Sequence, residues 1–207
     1  MKRTTFVLPL VLFCAIPLSA GVIFNLGNTP QPDSPALFHD SCVGCIDGPG
    51  TLVVGHLQSS NILVHLTSPS QLVAIDSGHN TVKSPGDVGF QELNITVPGY
   101  SFTSIIFQLT ELSLAPTGSV QFSAQTELDG VIGSIPFDLP HTGGTYFTIT
   151  TTGATRITQL GILSTELLHD VSQIRIGGEP SISSVPEPAP FALIGAALIA
   201  LRLLKRG

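Results

Sequence analysis

The chain has 207 residues, of which 8 are Lys or Arg and 14 are Asp or Glu, so that charged residues make up 11% and the net charge is −6. Soluble domains average about 25% charged residues. Hydrophobic residues make up 43%, which excludes an intrinsically disordered chain because such chains are poor in apolar residues. The negative net charge excludes a nucleic-acid-binding protein, which needs a cationic surface to contact phosphate.

Residues 1–20 have the three parts of a secretory signal peptide. Lys2 and Arg3 precede an uncharged apolar run over 6–18, and small residues follow that run. The run is shorter than the roughly 20 residues that a membrane-spanning helix needs, so a permanent anchor is the weaker interpretation. We therefore expect a signal helix that directs export through the secretion machinery and is then removed, together with Cys14.

Residues 21–50 are predicted to form an N-terminal arm that is rich in Pro and Gly. Three prolines lie between Asn25 and Pro35. Because proline has no backbone N–H and a fixed φ, a stretch with three of them favours a loop over a strand or a helix.

A CxxC motif, Cys42 and Cys45, lies in this arm. Its spacing allows a redox pair, half of a metal site or a local disulfide. Redox motifs of the thioredoxin kind precede a helix, whereas Asp-Gly-Pro-Gly follows here at 47–50. A zinc site needs further ligands, of which His39 and Asp40 offer a partial set. In an exported protein we favour the disulfide, which would hold the loop in place.

Residues 51–177 are predicted to form an all-β domain. Short runs of β-branched and aromatic residues are separated by turn residues at intervals of about eight to twelve residues, which is typical of sandwiches and barrels. Short connections favour antiparallel pairing. We predict a two-sheet antiparallel β-sandwich, of which a jelly roll is one form. Its strands, about ten in number, are predicted at 51–57, 61–67, 71–76, 90–97, 101–113, 119–127, 131–138, 145–151, 156–163 and 172–177.

Alternation of apolar and polar residues predicts which side chains point into the core. It is clear over 93–97 and 120–125. Ile105, Phe107 and Leu109 are likewise predicted to share a buried face, with the opposite face exposed to water. The segment 165–171 is the one stretch of the domain that could form a helix, of one or two turns.

The part of the chain between the two predicted sorting segments, 21–184, is strongly anionic. It contains three basic and thirteen acidic residues, so its net charge is −10. Such a surface is repelled by phosphate and by acidic lipid. Lysine is a common protection against pairing of exposed sheet edges, and its near absence here predicts association between copies.

Few residues of this part suggest chemistry. There is no Gly-x-Ser-x-Gly nucleophile motif, and the histidines lack any metal-binding spacing. His56 and His65 lie in apolar strand runs, where a structural role is the more common one. We therefore expect no enzyme activity, cofactor or metal. A groove lined by Tyr100 or Tyr146 with two or more acidic groups would instead favour a carbohydrate-binding module or a hydrolase, although the absence of Trp counts against sugar binding. The six histidines are His39, His56, His65, His79, His141 and His169.

The last 30 residues consist of distinct segments. A Gly/Ser/Pro linker is predicted over 178–184. An apolar run from Phe191 to Leu201 precedes three basic residues, which the positive-inside rule keeps in the cytoplasm. As a helix, the fourteen residues 191–204 would reach about 21 Å, against a hydrocarbon core of about 30 Å. The helix is therefore a marginal permanent anchor and is better suited to a temporary one.

The segment 185–207 resembles the PEP-CTERM sorting signal of Gram-negative bacteria. The resemblance rests on the triplet Pro186, Glu187 and Pro188, on the apolar run and on a basic stop formed by Arg202, Lys205 and Arg206. It implies recognition by an exosortase, a membrane-embedded cysteine protease or transpeptidase that cleaves near the triplet. It also implies delivery to the cell surface or the extracellular matrix, with only transient membrane attachment. Exopolysaccharide and other surface proteins are the candidate partners, and a structural or adhesive role is the leading hypothesis.

Overall fold

The computed structural model describes residues 21–75, 80–112, 118–140 and 143–178, together with the backbone of 181–182. The predicted signal peptide and the predicted sorting signal lie outside these residues. Within them, no helix has the length and apolar character required to cross a membrane.

The described chain is almost entirely antiparallel β-sheet. Its one helical element is a 3₁₀ turn at Pro85–Asp87. The strands are Gly21–Leu26 (β1), Asp33–Leu37 (β2), Gly50–Leu57 (β3), Leu63–Ile75 (β4), Thr81–Lys83 (β5), Phe90–Thr96 (β6), Tyr100–Ser101 (β7), Ser104–Glu111 (β8), Gly118–Thr126 (β9), Gly130–Gly133 (β10), Phe137–Leu139 (β11), Thr145–Thr152 (β12), Ile157–Gly177 (β13) and Ser181–Ile182 (β14).

Twelve of these strands form one continuous hydrogen-bonded sheet. Its main path runs β1-β12-β8-β13-β2-β3-β4-β5, while β9 joins β13, β10 and β11, and β6 joins β13 and β4. Strands β7 and β14 pair separately, so that part of the predicted linker forms a short strand.

The 21-residue strand β13 connects the two halves of the sheet. Its first part, from Ile157 to Ser164, pairs with β9 and with β6. Its last part, from Leu168 to Gly177, pairs with β8, and its final residues also pair with β2. A register shift between Leu163 and Leu168 separates these parts, and bulges of this kind bend a strand. One strand therefore takes part in both layers, an arrangement consistent with a β-sandwich.

A cluster of phenylalanine rings fills the space between β9 and the β8–β12 pair. The ring of Phe122, on β9, lies 4.8 Å from that of Phe147 and 5.6 Å from that of Phe107, measured between centroids. Phe24 and Phe137 pack against the same ring at 6.3 and 5.7 Å. Strands that are distant along the sheet therefore face each other across the core.

The structure confirms most of the predicted alternation and corrects one strand. Leu93 and Ile95 are fully buried, as are alternate residues of β9. Strand β8 differs, because Ile106 is buried as completely as its neighbours Ile105 and Phe107. Both faces of β8 are covered, so the prediction that one of them is exposed to water is wrong.

Two predicted segments prove to be sheet strands. The possible helix at 165–171 is wrong, because these residues continue β13 and Leu168 pairs with Glu111 of β8. The arm predicted at 21–50 is also corrected, since β1 pairs with β12 and β2 pairs with both β13 and β3. Two of the prolines that favoured a loop, Pro30 and Pro32, lie between β1 and β2.

Candidate functional site

The CxxC loop packs against the start of the domain, between β2 and β3. Cys42 and Cys45 are joined by a disulfide, with their Cα atoms 5.2 Å apart. The Cys45 N–H donates a hydrogen bond to the Cys42 carbonyl at 3.3 Å, which closes a tight turn. Val43, between the cysteines, is 98% exposed. The disulfide therefore lies on a protruding turn that solvent can reach.

A two-residue bridge places this turn beside a buried histidine. Ile46 and Val54 exchange backbone hydrogen bonds of 3.0 and 2.9 Å, which holds the loop against β3. His56 follows on β3 and is buried. Its Nδ1 lies 3.7 Å from the Cys45 sulfur, and its Nε2 lies 4.0 Å from an Asp40 carboxylate oxygen. The sequence predicted Asp40 as a partial partner of the cysteines but missed His56, because their contact depends on this bridge.

Further polar groups surround the same turn. His39 Nδ1 and Asp47 Oδ2 lie 3.1 Å apart, and both side chains are about half exposed. A cavity of about 370 Å³ opens among these side chains and the cysteines. We call the set Asp40, Cys42, Cys45 and His56 the cysteine–histidine cluster.

A second feature is a groove of about 590 Å³ beside the end of β13. Asp33 lines it with a side chain that is only 3% exposed. One carboxylate oxygen of Asp33 lies 3.0 Å from Arg175 Nη2, whereas the other is buried and has no hydrogen-bond partner among the described residues. A buried carboxylate oxygen without a donor is unusual and unfavourable. The remaining lining is Pro32, Ser34, Leu57, Ser59, Ser60, Ile62, Ile176, Gly177 and Gly178.

A third feature is a partly buried network of ionisable side chains around His169. Its Nδ1 lies 2.6 Å from an Asp170 oxygen, and its Nε2 lies 3.4 Å from Asp87. Lys83 Nζ also contacts Asp87, at 2.7 Å. The hydrogen bond and charge of Lys83 lower the pKa of the Asp87 carboxyl. Because ion pairs near the surface contribute little to stability, we assign this network only a local structural role.

The tyrosines provide little of a sugar-binding platform. Tyr100 lines a depression of about 280 Å³, in which Glu127 is the one acidic group among the described lining residues. This falls short of the two acidic groups that the carbohydrate or hydrolase hypothesis requires. Tyr146 lies on β12, opposite Gln108 of β8.

The other predicted site residues have separate positions. His65 is half-buried on β4, where desolvation lowers its pKa. His79 and His141 lie outside the described residues, as do the sorting triplet Pro186, Glu187 and Pro188 and the basic stop of Arg202, Lys205 and Arg206.

No protein-family model matches this chain, and no curated protein matches it. Among solved structures, it is similar to CBM29_1, a family 29 carbohydrate-binding module from Piromyces equi, with a TM-score of 0.29 and 9% sequence identity over 78% of this chain and 91% of that one. At this TM-score the likeness carries no argument about fold or ligand.

Proposed function

We propose that this chain is an exported bacterial protein that an exosortase sorts to the cell surface or extracellular matrix, where it has a structural or adhesive role and no catalytic one. The C-terminal pattern carries the proposal: the triplet at 186–188, a short apolar run and a basic stop in that order. The signal-peptide pattern at 1–20 supports it, because a substrate of such sorting has to be exported first.

The sheet edges support an adhesive role. Strand β1 pairs with β12 on one side, and among the described residues it has no second neighbour. Ile23 and Leu26 of this strand are 45% and 59% exposed. Strand β10 pairs with β9 alone within the described sheet, and its Val131 is 69% exposed. Edges with unpaired backbone groups and apolar side chains favour pairing with another chain.

Replacement of the sorting triplet tests the proposal. In the native bacterium, a Pro186→Ala, Glu187→Ala, Pro188→Ala variant should remain uncut in the membrane fraction, whereas the wild-type protein should be released at lower mass. Deletion of the exosortase gene should have the same effect on the wild-type protein. A matched control replaces three linker residues, Ser181, Ser183 and Ser184, with Ala, which should leave processing unchanged. Equal processing of the triplet variant and the wild type would contradict the proposal.

The groove at Asp33 favours a second candidate function, a carbohydrate-binding module. Its lining combines three serine residues with apolar side chains, beside the buried Asp33 carboxylate. A sugar could hydrogen-bond to the serine hydroxyls while its C–H face packs on the apolar residues. Calorimetric titration with neutral oligosaccharides tests this: Ser60→Trp, which would fill the groove, should abolish binding, whereas Asp138→Asn on the exposed side of β11 should not. Absence of heat with the wild-type protein would dismiss this candidate.

A further inference from the structure

We propose that the cysteine–histidine cluster binds a soft or borderline metal ion such as Zn²⁺ once its disulfide is reduced. Cys42, Cys45 and His56 each offer one ligand atom, and these atoms lie within 4.8 Å of one another. Two thiolates and an imidazole are a common ligand set for zinc, with an external ligand in the fourth position. The two cysteines can thus either form the disulfide or, once reduced, bind the metal ion together with His56.

The position of the imidazole fits a metal site. Tetrahedral bonds of about 2.3 Å to sulfur and about 2.1 Å to nitrogen hold these two ligand atoms about 3.6 Å apart. The distance from Cys45 Sγ to His56 Nδ1 is 3.7 Å. The histidine therefore needs little movement to coordinate an ion that the Cys45 thiolate also binds.

Asp40 lies close to where an outer partner of that histidine would be. Metal-binding histidines usually donate their second ring N–H to a carboxylate or a carbonyl, which fixes the ring and raises its basicity. In the cluster, Nδ1 faces the sulfur, and Nε2 lies 4.0 Å from the Asp40 oxygen. Nδ1 thus lies at a distance suited to coordination, whereas the Asp40 carboxylate must approach Nε2 by about 1 Å to accept its hydrogen bond.

Both cysteines are accessible enough for a reductant to open the disulfide and for an ion to bind in its place. Their side chains are half-buried, and the cavity among His39, Asp40 and Asp47 opens beside them. Disulfide sulfurs lie about 2.05 Å apart, whereas two sulfurs on one tetrahedral zinc lie about 3.8 Å apart. Reduction must therefore come first, and the open cavity leaves room for a water as fourth ligand.

A dithiol can serve as the reductant that opens the disulfide. The dithiol transfers two electrons and two protons to the Cys42–Cys45 bond, giving two thiols, and is itself oxidised to a disulfide. Ion binding then displaces the two thiol protons, because the thiolate is the ligand form. Reoxidation of the pair by an added disulfide reverses both steps and releases the ion.

Cobalt(II) is a suitable probe, because its thiolate complexes absorb strongly. The purified full chain, kept in mild detergent, is reduced under argon, separated from reductant and titrated with Co²⁺. We expect one ion per chain, a thiolate-to-cobalt charge-transfer band, displacement by Zn²⁺ and no band before reduction. Absence of the band in the reduced protein would overturn the proposal.

Single variants separate this site from binding by cysteines alone. His56→Ala should weaken Co²⁺ binding at least about tenfold, and Asp40→Ala about tenfold, as outer-partner losses do elsewhere. His65→Ala, on the neighbouring strand and outside the cluster, is the matched control and should not change the affinity. Because Asp40 is exposed, its variant stays informative if replacement of His56 disturbs folding. Unchanged affinity in both the His56 and the Asp40 variants would refute the proposed ligand set.

Discussion

Replacement of Phe122 by alanine tests the contact between the two halves of the sheet. The side chain is 1% exposed and contacts four other aromatic rings, at centroid distances from 4.8 to 6.3 Å. Buried Phe-to-Ala changes cost about 3–5 kcal/mol, and four ring contacts place this one in the upper part of that range, at about 4 kcal/mol. For a domain of this size, the loss corresponds to a fall in Tm of roughly 8–16 °C.

Urea unfolding, followed by far-UV circular dichroism, measures this loss as a change in the free energy of unfolding. Leu128→Ala is the control, because that side chain is 68% exposed, and exposed substitutions usually change stability by less than about 0.5 kcal/mol. Phe24→Ala should be intermediate, since Phe24 is half-buried and contacts Phe122 alone among the ring pairs described. A loss below about 1 kcal/mol for Phe122→Ala would refute the packing described here.

Three further predictions concern a close approach, the cysteines and a histidine. Gly55→Ala should destabilise the protein by about 1–3 kcal/mol, because a Cβ there would collide with a backbone carbonyl and an aromatic ring beside β2, whereas Gly133→Ala has room and should be nearly neutral in the same urea assay. Alkylation of the unreduced protein followed by mass spectrometry should label neither Cys42 nor Cys45, and reduction should expose both. Burial lowers the pKa of His65 below 6.5, so the unfolded chain binds its proton more readily; stability should therefore fall as the pH drops below about 6.5, and His65→Gln should flatten that fall.

The local pattern of the sequence predicts the strands better than their pairing. Alternation over 93–97 and 120–125 identifies buried faces correctly, because side chains of a strand alternate between its two faces. The same rule fails for β8, where Ile106 is buried on the second face. No local signal shows that a strand will be covered on both sides, since this depends on which distant segments pack there.

The N-terminal strands were missed for a similar reason. Strand β1 pairs with β12, more than 120 residues later, and the Thr29 N–H also donates a hydrogen bond to Thr148 Oγ1 of that strand, at 2.9 Å. Proline-rich composition correctly indicates a break between β1 and β2 but conceals the strands on each side. The contact between His56 and Cys45 likewise depends on one backbone bridge, between Ile46 and Val54. The spacing of these residues in the sequence does not reveal this bridge.

The intact mass of the wild-type protein recovered from its own bacterium shows whether its C-terminal segment is cut off. We expect a processed chain that has lost the signal peptide at 1–20 and everything beyond the region of the triplet at 186–188, and that is found at the cell surface or in the extracellular matrix. A membrane-held protein whose mass still includes the C-terminal apolar run and basic stop would contradict it.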